Sequence, residues 1–174
     1  MAVIGPVTAA NGKRYARSVA TFTRPADTNV YADGDLVANS TTAASVTVMS
    51  FTYGGNNTAF EFPIVRLQKS GTTATNASFR LRLYSTAPTV ATVGDNGVYA
   101  TNVAGFASMI GYYDGTLIGH SDGCSGFLVP ETGVIKPEYL GHAGTVYGLL
   151  EARAAYTPSS GEIFIATLVQ EFSI

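Results

Sequence analysis

The segment Phe79-Arg80-Leu81-Arg82-Leu83-Tyr84 constrains this chain more than any other, because it alternates apolar and cationic side chains without a break. A period of two residues puts Phe79, Leu81 and Leu83 on one face and Arg80 and Arg82 on the other, the pattern of a half-buried strand and not of a helix. The same period recurs over 45–51, and 15–22 is rich in β-formers. Residues 60–68 predict one longer strand interrupted by Pro63, whose missing N–H demands an edge position or a bulge. Shorter strands are predicted at 107–111, 116–118, 126–129, 146–153 and 163–170. Helical periodicity is weak throughout, the best candidate being one turn over 95–101 with Asp95 as its N-cap. About ten short strands separated by glycine, asparagine and proline signals imply an all-β, antiparallel fold with at most one short helix. On these signals alone, a closed barrel and a two-sheet sandwich both remain open.

Turn chemistry is densest in Thr23-Arg24-Pro25-Ala26-Asp27-Thr28-Asn29-Val30-Tyr31-Ala32-Asp33-Gly34-Asp35. Pro25 fixes its own φ, Asp27 and Asn29 can bond nearby backbone, and Gly34 admits a positive φ between two acids. The segment therefore predicts a folded lead-in to a short strand beginning at Leu36 and Val37. Residues 38–44 and 71–76 are small and polar and predict loops. Residues 1–14 show little hydrophobic pattern and predict an extended N-terminal arm ahead of a single domain over 15–174, with no repeat of solenoid length.

A chain of 174 residues can bury a sizeable core without disulfides or metals. Only 13% of its residues are charged, against roughly 25% in an average soluble domain, which implies a surface that is small and polar or covered by other subunits. Ten basic and twelve acidic residues spread along the chain leave no electrostatic footprint for nucleic acid. Cys124 is the single cysteine, so no internal disulfide forms. The opening Met1-Ala2-Val3-Ile4-Gly5-Pro6 lacks the pattern of a signal peptide, and no run approaches the ~20 apolar residues of a membrane helix. A soluble protein made in a cytosol, with no membrane partner, is expected.

Candidate chemistry is sparse. Gly119-His120-Ser121-Asp122-Gly123 matches G-x-S-x-G, but that nucleophile elbow needs a following helix, and Cys124-Ser125-Gly126-Phe127-Leu128-Val129-Pro130 runs into a strand. A glycine-rich turn between strands is the simpler expectation. Ser125 follows His120 by only five residues on one turn, whereas a chymotrypsin-like triad places its histidine and aspartate well before the serine. Cys124 with His142 is a conceivable nucleophile pair, although lone cysteines usually serve as small buried hydrophobes. Asp33 and Asp35 lack the remainder of a calcium loop, and His120, Asp122 and His142 lack zinc spacing. No enzymatic activity, metal or cofactor is expected, a hydrolase using Ser121 or Ser125 being the alternative to test.

Three blocks carry a resemblance. They are the 23–35 segment; Ala77-Ser78-Phe79-Arg80-Leu81-Arg82-Leu83-Tyr84-Ser85-Thr86-Ala87-Pro88 followed by Val93-Gly94-Asp95-Asn96-Gly97-Val98-Tyr99; and Val146-Tyr147-Gly148-Leu149-Leu150-Glu151 with Tyr156-Thr157-Pro158-Ser159-Ser160-Gly161-Glu162. Together they resemble structural proteins of tailed-bacteriophage virions, of the type that decorates or cements the capsid shell. The resemblance implies a jelly-roll-like sandwich rather than a barrel. It also implies a position on the capsid surface, with the major capsid protein and a second or third copy of the chain as partners. Aromatic and arginine residues favour interface centres, so Tyr15, Arg17, Arg24, Tyr31, Arg80 and Arg82 are the expected contact residues. A tail or baseplate component and a carbohydrate-binding sandwich module are the alternatives, and the absence of tryptophan counts against the latter.

Overall fold

A computed structural model of the chain describes residues 4–8, 14–53, 60–130 and 144–172. Among the described residues, eleven strands form one long antiparallel sheet that curls over on itself. In chain order they are β1 (Ile4–Thr8), β2 (Arg14–Thr23), β3 (Leu36–Val37), β4 (Met49–Thr52), β5 (Phe60–Lys69), β6 (Ser78–Tyr84), β7 (Met109–Thr116), β8 (Ile118–His120), β9 (Gly123–Pro130), β10 (Thr145–Ala152) and β11 (Ile163–Phe172). The sheet runs β1-β2-β11-β5-β9-β7-β6-β10-β3, with β4 also on β10 and β8 also on β9. The fold is thus all-β and sandwich-like, with one five-residue helix, α1 (Val103–Ala107), and one 3-10 turn at Ala43–Ser45.

Strand β9 joins the two layers. Its Cys124–Leu128 stretch pairs with Lys69–Val65 of β5, whereas Val129 and Pro130 pair with Asp114 and Tyr113 of β7. Strands β7 and β8 meet β9 in one unbroken register, as a long hairpin closed by Ser121 and Asp122. The layer β1-β2-β11-β5 therefore passes through β9 into the layer β7-β6-β10-β3.

Alternation puts the core between the layers. On β6, Phe79, Leu81 and Leu83 are buried while Arg80 and Arg82 are only half-buried, as their period requires. Phe79 stands edge-on to Phe164 of β11 at 5.4 Å and to Tyr156 at 5.3 Å, linking the layers through their aromatic rings. Val65 and Leu67 of β5, Val146 and Leu150 of β10, and Ala166 and Leu168 of β11 complete this centre. A smaller apolar cluster of Leu36, Ala38, Tyr84, Val90 and Leu149 lies outside the second layer, with Tyr99 and Met109 packed on it.

Pro63 marks a bulge, one of the two placements expected: Ile64 pairs with Val169 and Glu61 with Glu171, so Phe62 and Pro63 together oppose Gln170, and β5 meets β9 only from Val65 onward. Other local expectations change. The expected helical turn over 95–101 is absent, because Asp95 is buried and engaged elsewhere. Helix α1 starts eight residues later, where the Asn102 side chain accepts a hydrogen bond from the Gly105 N–H at 2.8 Å. Residues 45–48 precede the strand at Met49–Thr52 instead of belonging to it. Within the segment expected as an arm, Ile4–Thr8 pairs with β2. His142 lies outside the described residues.

Among the described residues, two ion pairs are fully buried. Arg24 donates to Asp95 at 2.8 Å, and Asp95 also accepts from the Tyr31 hydroxyl at 2.6 Å and the Ala38 N–H at 2.8 Å. The cluster ties the 23–35 lead-in to the turn after Val93 across the mouth of the sheet. Lys69 donates to the carbonyls of Gly71 and Thr73, each at 2.8 Å, and to Glu162 at 3.1 Å. Glu162 accepts in turn from the Tyr156 hydroxyl at 2.5 Å. Burial first, then the Glu162 carboxylate, push the Tyr156 phenol far above its ordinary range, so it stays a donor. Gly71 is required here because a Cβ would collide with the Glu162 carboxylate.

Candidate functional site

The six expected contact residues divide into three groups. Arg24 and Tyr31 are 3% and 1% exposed and are spent on Asp95, so neither is available to a partner, contrary to expectation. Arg80 and Arg82 lie on the outer face of the second layer but already have carboxylates. Arg80 grips Asp114 through two bonds of 2.7 Å, and Arg82 meets Glu151 at 2.7 Å. Their guanidinium groups also lie 3.9 and 5.7 Å from the Tyr112 ring centre, Arg82 being 4.7 Å from Tyr99 as well. Tyr15 and Arg17 alternate outward on β2 and lie on the outer face of the first layer, Tyr15 half-buried and Arg17 exposed.

That outer face is the surface best suited to a partner. Strand period fixes its members: Tyr15, Arg17, Val19, Thr21 and Thr23 on β2, then Ile163, Ile165, Thr167, Val169 and Glu171 on β11. Beyond them come Ile64, Arg66 and Gln68 on β5, then Ser125, Phe127 and Val129 on β9. Ile118 is 69% exposed, Phe127 67% and Val129 62%, with Ile64 and Ile163 exposed beside them. Five strands thus present a broad, mostly neutral surface on which apolar side chains stand in water. Scattered exposed hydrophobes are ordinary on proteins, but several on one continuous sheet face mark an interaction site.

At the end of this face nearest the Ser121-Asp122 turn the surface is concave. A depression of ≈ 450 Å³ is lined by Arg66, Gln68, His120, Ser125, Ile163 and Ile165, with Asp122 at its wall. His120 Nε2 lies 2.9 Å from Ser125 Oγ. The pair bridges the ends of one hairpin, on strands rather than on a strand-to-helix elbow. Cys124, one residue away, points inward and donates to the Gly71 carbonyl at 3.2 Å.

The acids considered for calcium are engaged separately, Asp33 with Arg153 at 3.3 Å and Asp35 with the Ala32 N–H at 2.7 Å. Among the described residues, no three His, Cys, Asp or Glu side chains come together as a metal site. No helix among them is long and apolar enough to cross a membrane.

No family model matches this chain. Nor does any curated protein match it. Among solved structures it is similar to the decameric BFDV capsid protein, at 13% identity and a TM-score of 0.35, over 93% of this chain and 99% of that one. It is also similar to a chain of cucumber leaf spot virus, at 14% identity and a TM-score of 0.29, over 100% of this chain and 55% of that one. Superpositions this loose carry no inference about role.

Proposed function

We propose that this chain is a virion structural protein that works by adhesion alone, as a decoration or cement protein on an assembled capsid. The observation that carries the proposal is the outer face of the first layer, where Ile64, Ile118, Phe127, Val129 and Ile163 stand exposed on one continuous sheet. Burying such a face stabilises a complex by about 25 cal/mol per Å² of apolar surface removed from water, before the cost of ordering both partners. Tyr15 and Arg17, at the end of the face next to β1, supply the aromatic and guanidinium contacts favoured at interface centres. The low charge content, 13% of residues, supports the same assignment. A protein that binds only the mature shell stabilises it by mass action, and symmetry repeats each weak contact many times. The major capsid protein is the proposed partner, with the chain itself as a dimer or trimer.

Copy number on purified particles tests this proposal. Hundreds of copies spread over the head, lost on substitution of Phe127 and Ile118 by Ser and restored by adding back wild-type protein, are expected. Particles carrying the chain only on the tail, or not at all, would refute a place on the shell.

A further inference from the structure

The depression beside the hairpin turn has a feature that adhesion to a flat lattice does not use. Among the described residues, Arg24, Arg80, Arg82 and Arg153 each have a carboxylate partner. Arg66 does not. It is half-buried at the centre of the sheet, between Thr167 of β11 and Phe127 of β9, and meets no hydrogen-bond or charge partner among the described residues. Gln68, two residues along the same face and likewise without a partner there, stands opposite Ser125. A partly desolvated guanidinium fork without an acceptor binds an anion more strongly than a fully solvated one, and its geometry suits a planar carboxylate.

We infer that this depression binds an acidic sugar, a uronate or sialate unit, whose carboxylate sits on Arg66. The remaining lining matches the rest of such a ligand. Gln68, Ser125 and His120 offer both donors and acceptors to ring hydroxyls. Beside the depression, Phe127 stands 67% exposed in register with Arg66 and offers a flat platform for the apolar face of a pyranose ring, while Ile163 and Ile165 line the depression itself. Size discriminates between ligand sources. A volume of ≈ 450 Å³ falls within the range of small-molecule sites and holds one or two sugar rings, whereas a single Asp or Glu side chain from a protein partner would leave most of it empty. Charge discriminates against phosphate, because Arg66 is the one lining cation without a carboxylate partner, Lys69 being paired with Glu162, and the Asp122 carboxylate stands in the wall.

This inference does not depend on the capsid assignment. The depression lies at the Ile163 end of the face, about 20 Å along the strands from the Val169 end that carries Tyr15 and Arg17. Because Phe127 and Ile163 belong to both surfaces, a copy held to a shell through them has this depression covered, and sugar binding is therefore read on the free chain.

The test uses the full chain in solution, with amide chemical shifts followed by NMR against glucuronate, N-acetylneuraminate, glucose, inorganic phosphate and a glutamate-rich peptide. One of the two sugar acids is expected to shift the amides of Arg66, Gln68 and Ser125 with a dissociation constant of about 10 mM or tighter, and glucose to bind at least about tenfold more weakly. Arg66→Gln should weaken the sugar acid about tenfold or more, and Phe127→Ala several-fold. Arg17→Gln, on the same face but outside the depression, should leave binding unchanged. Equal binding of glucose, undiminished binding by a folded Arg66→Gln protein, or no shift with either sugar acid would overturn the site. Arg66-dependent binding of the peptide or of phosphate in place of the sugars would also overturn it.

Discussion

Glu162→Gln and Lys69→Met perturb the same buried contact in unequal ways, and the inequality follows from counting donors. All three Lys69 hydrogens have acceptors: the Gly71 carbonyl, the Thr73 carbonyl and Glu162. In Glu162→Gln the amide oxygen can still accept from Lys69 and the amide nitrogen can donate to Tyr156. The counter-charge is lost and the Tyr156 O–H is left without its acceptor, while Lys69 keeps all three of its own, which places the cost toward the lower end of the range for breaking a buried pair, about 3 kcal/mol. Lys69→Met is worse, because the Glu162 carboxylate stays fully buried with only the Tyr156 hydroxyl, and the two carbonyls lose a donor. The Gly71 carbonyl retains Cys124, which limits that second loss. The sum is about 5 kcal/mol or more, comparable to the whole stability of many domains. For a chain of this length, Glu162→Gln should lower the melting temperature by roughly 6–12 °C. Lys69→Met should be largely unfolded at body temperature. Combining both changes should cost less than their sum by about 2 kcal/mol. Urea unfolding followed by circular dichroism at neutral pH gives all three numbers. Losses under about 1 kcal/mol for both single variants, or a larger loss for Glu162→Gln than for Lys69→Met, would refute the accounting.

Other consequences are simpler to check. Phe79→Ala removes a ring packed against Phe164 and Tyr156 and should cost about 3–5 kcal/mol by the same unfolding assay. Arg80→Gln breaks a geometrically good but part-exposed pair with Asp114, and thermal unfolding should show a loss no greater than about 1 kcal/mol. Burial pushes the Tyr84 and Tyr113 phenols up to about 12, while unfolded tyrosine ionises near pH ~10. The folded chain therefore keeps protons that the unfolded chain releases, and stability held below pH ~10 is lost as pH rises toward the folded values. Tyrosinate absorbance should rise in two stages, the second coinciding with loss of the circular dichroism of the sheet. A single stage near pH ~10 with structure intact would contradict this.

Strand character was legible wherever burial is one-sided. The alternation of Phe79 to Tyr84 maps residue by residue onto β6, since each inward residue faces a core and each arginine a solvent edge. Pro63 signalled a bulge or an edge, and the choice depended on β11 and β9, partners that lie far along the chain. Burial of polar residues was not legible. Arg24 and Tyr31 read as contact residues because aromatic and arginine side chains favour interface centres, yet Asp95, 71 residues from Arg24, takes both inward. No local pattern records a pairing over that separation. The depression was equally hidden, because Arg66 reads as one outward residue of a strand. Its significance comes from what stands beside it on β9 and β11, and from its having no salt-bridge partner among the described residues. What the sequence did offer was the outward phase of Ile64, Arg66 and Gln68, visible once Val65 and Leu67 are assigned inward.

Because β9 pairs with β5 over Cys124–Leu128 and with β7 at Val129 and Pro130, neither layer can separate from the other while that strand keeps its bonds. Loosening must begin at the free margins, at β1 on one side and at β3 and β4 on the other. Slow proton exchange should converge on residues 124–129, the seam that holds out until the whole molecule gives way. A shell protein clasped along one layer would therefore pass mechanical load straight into the opposite layer, with no internal hinge to absorb it.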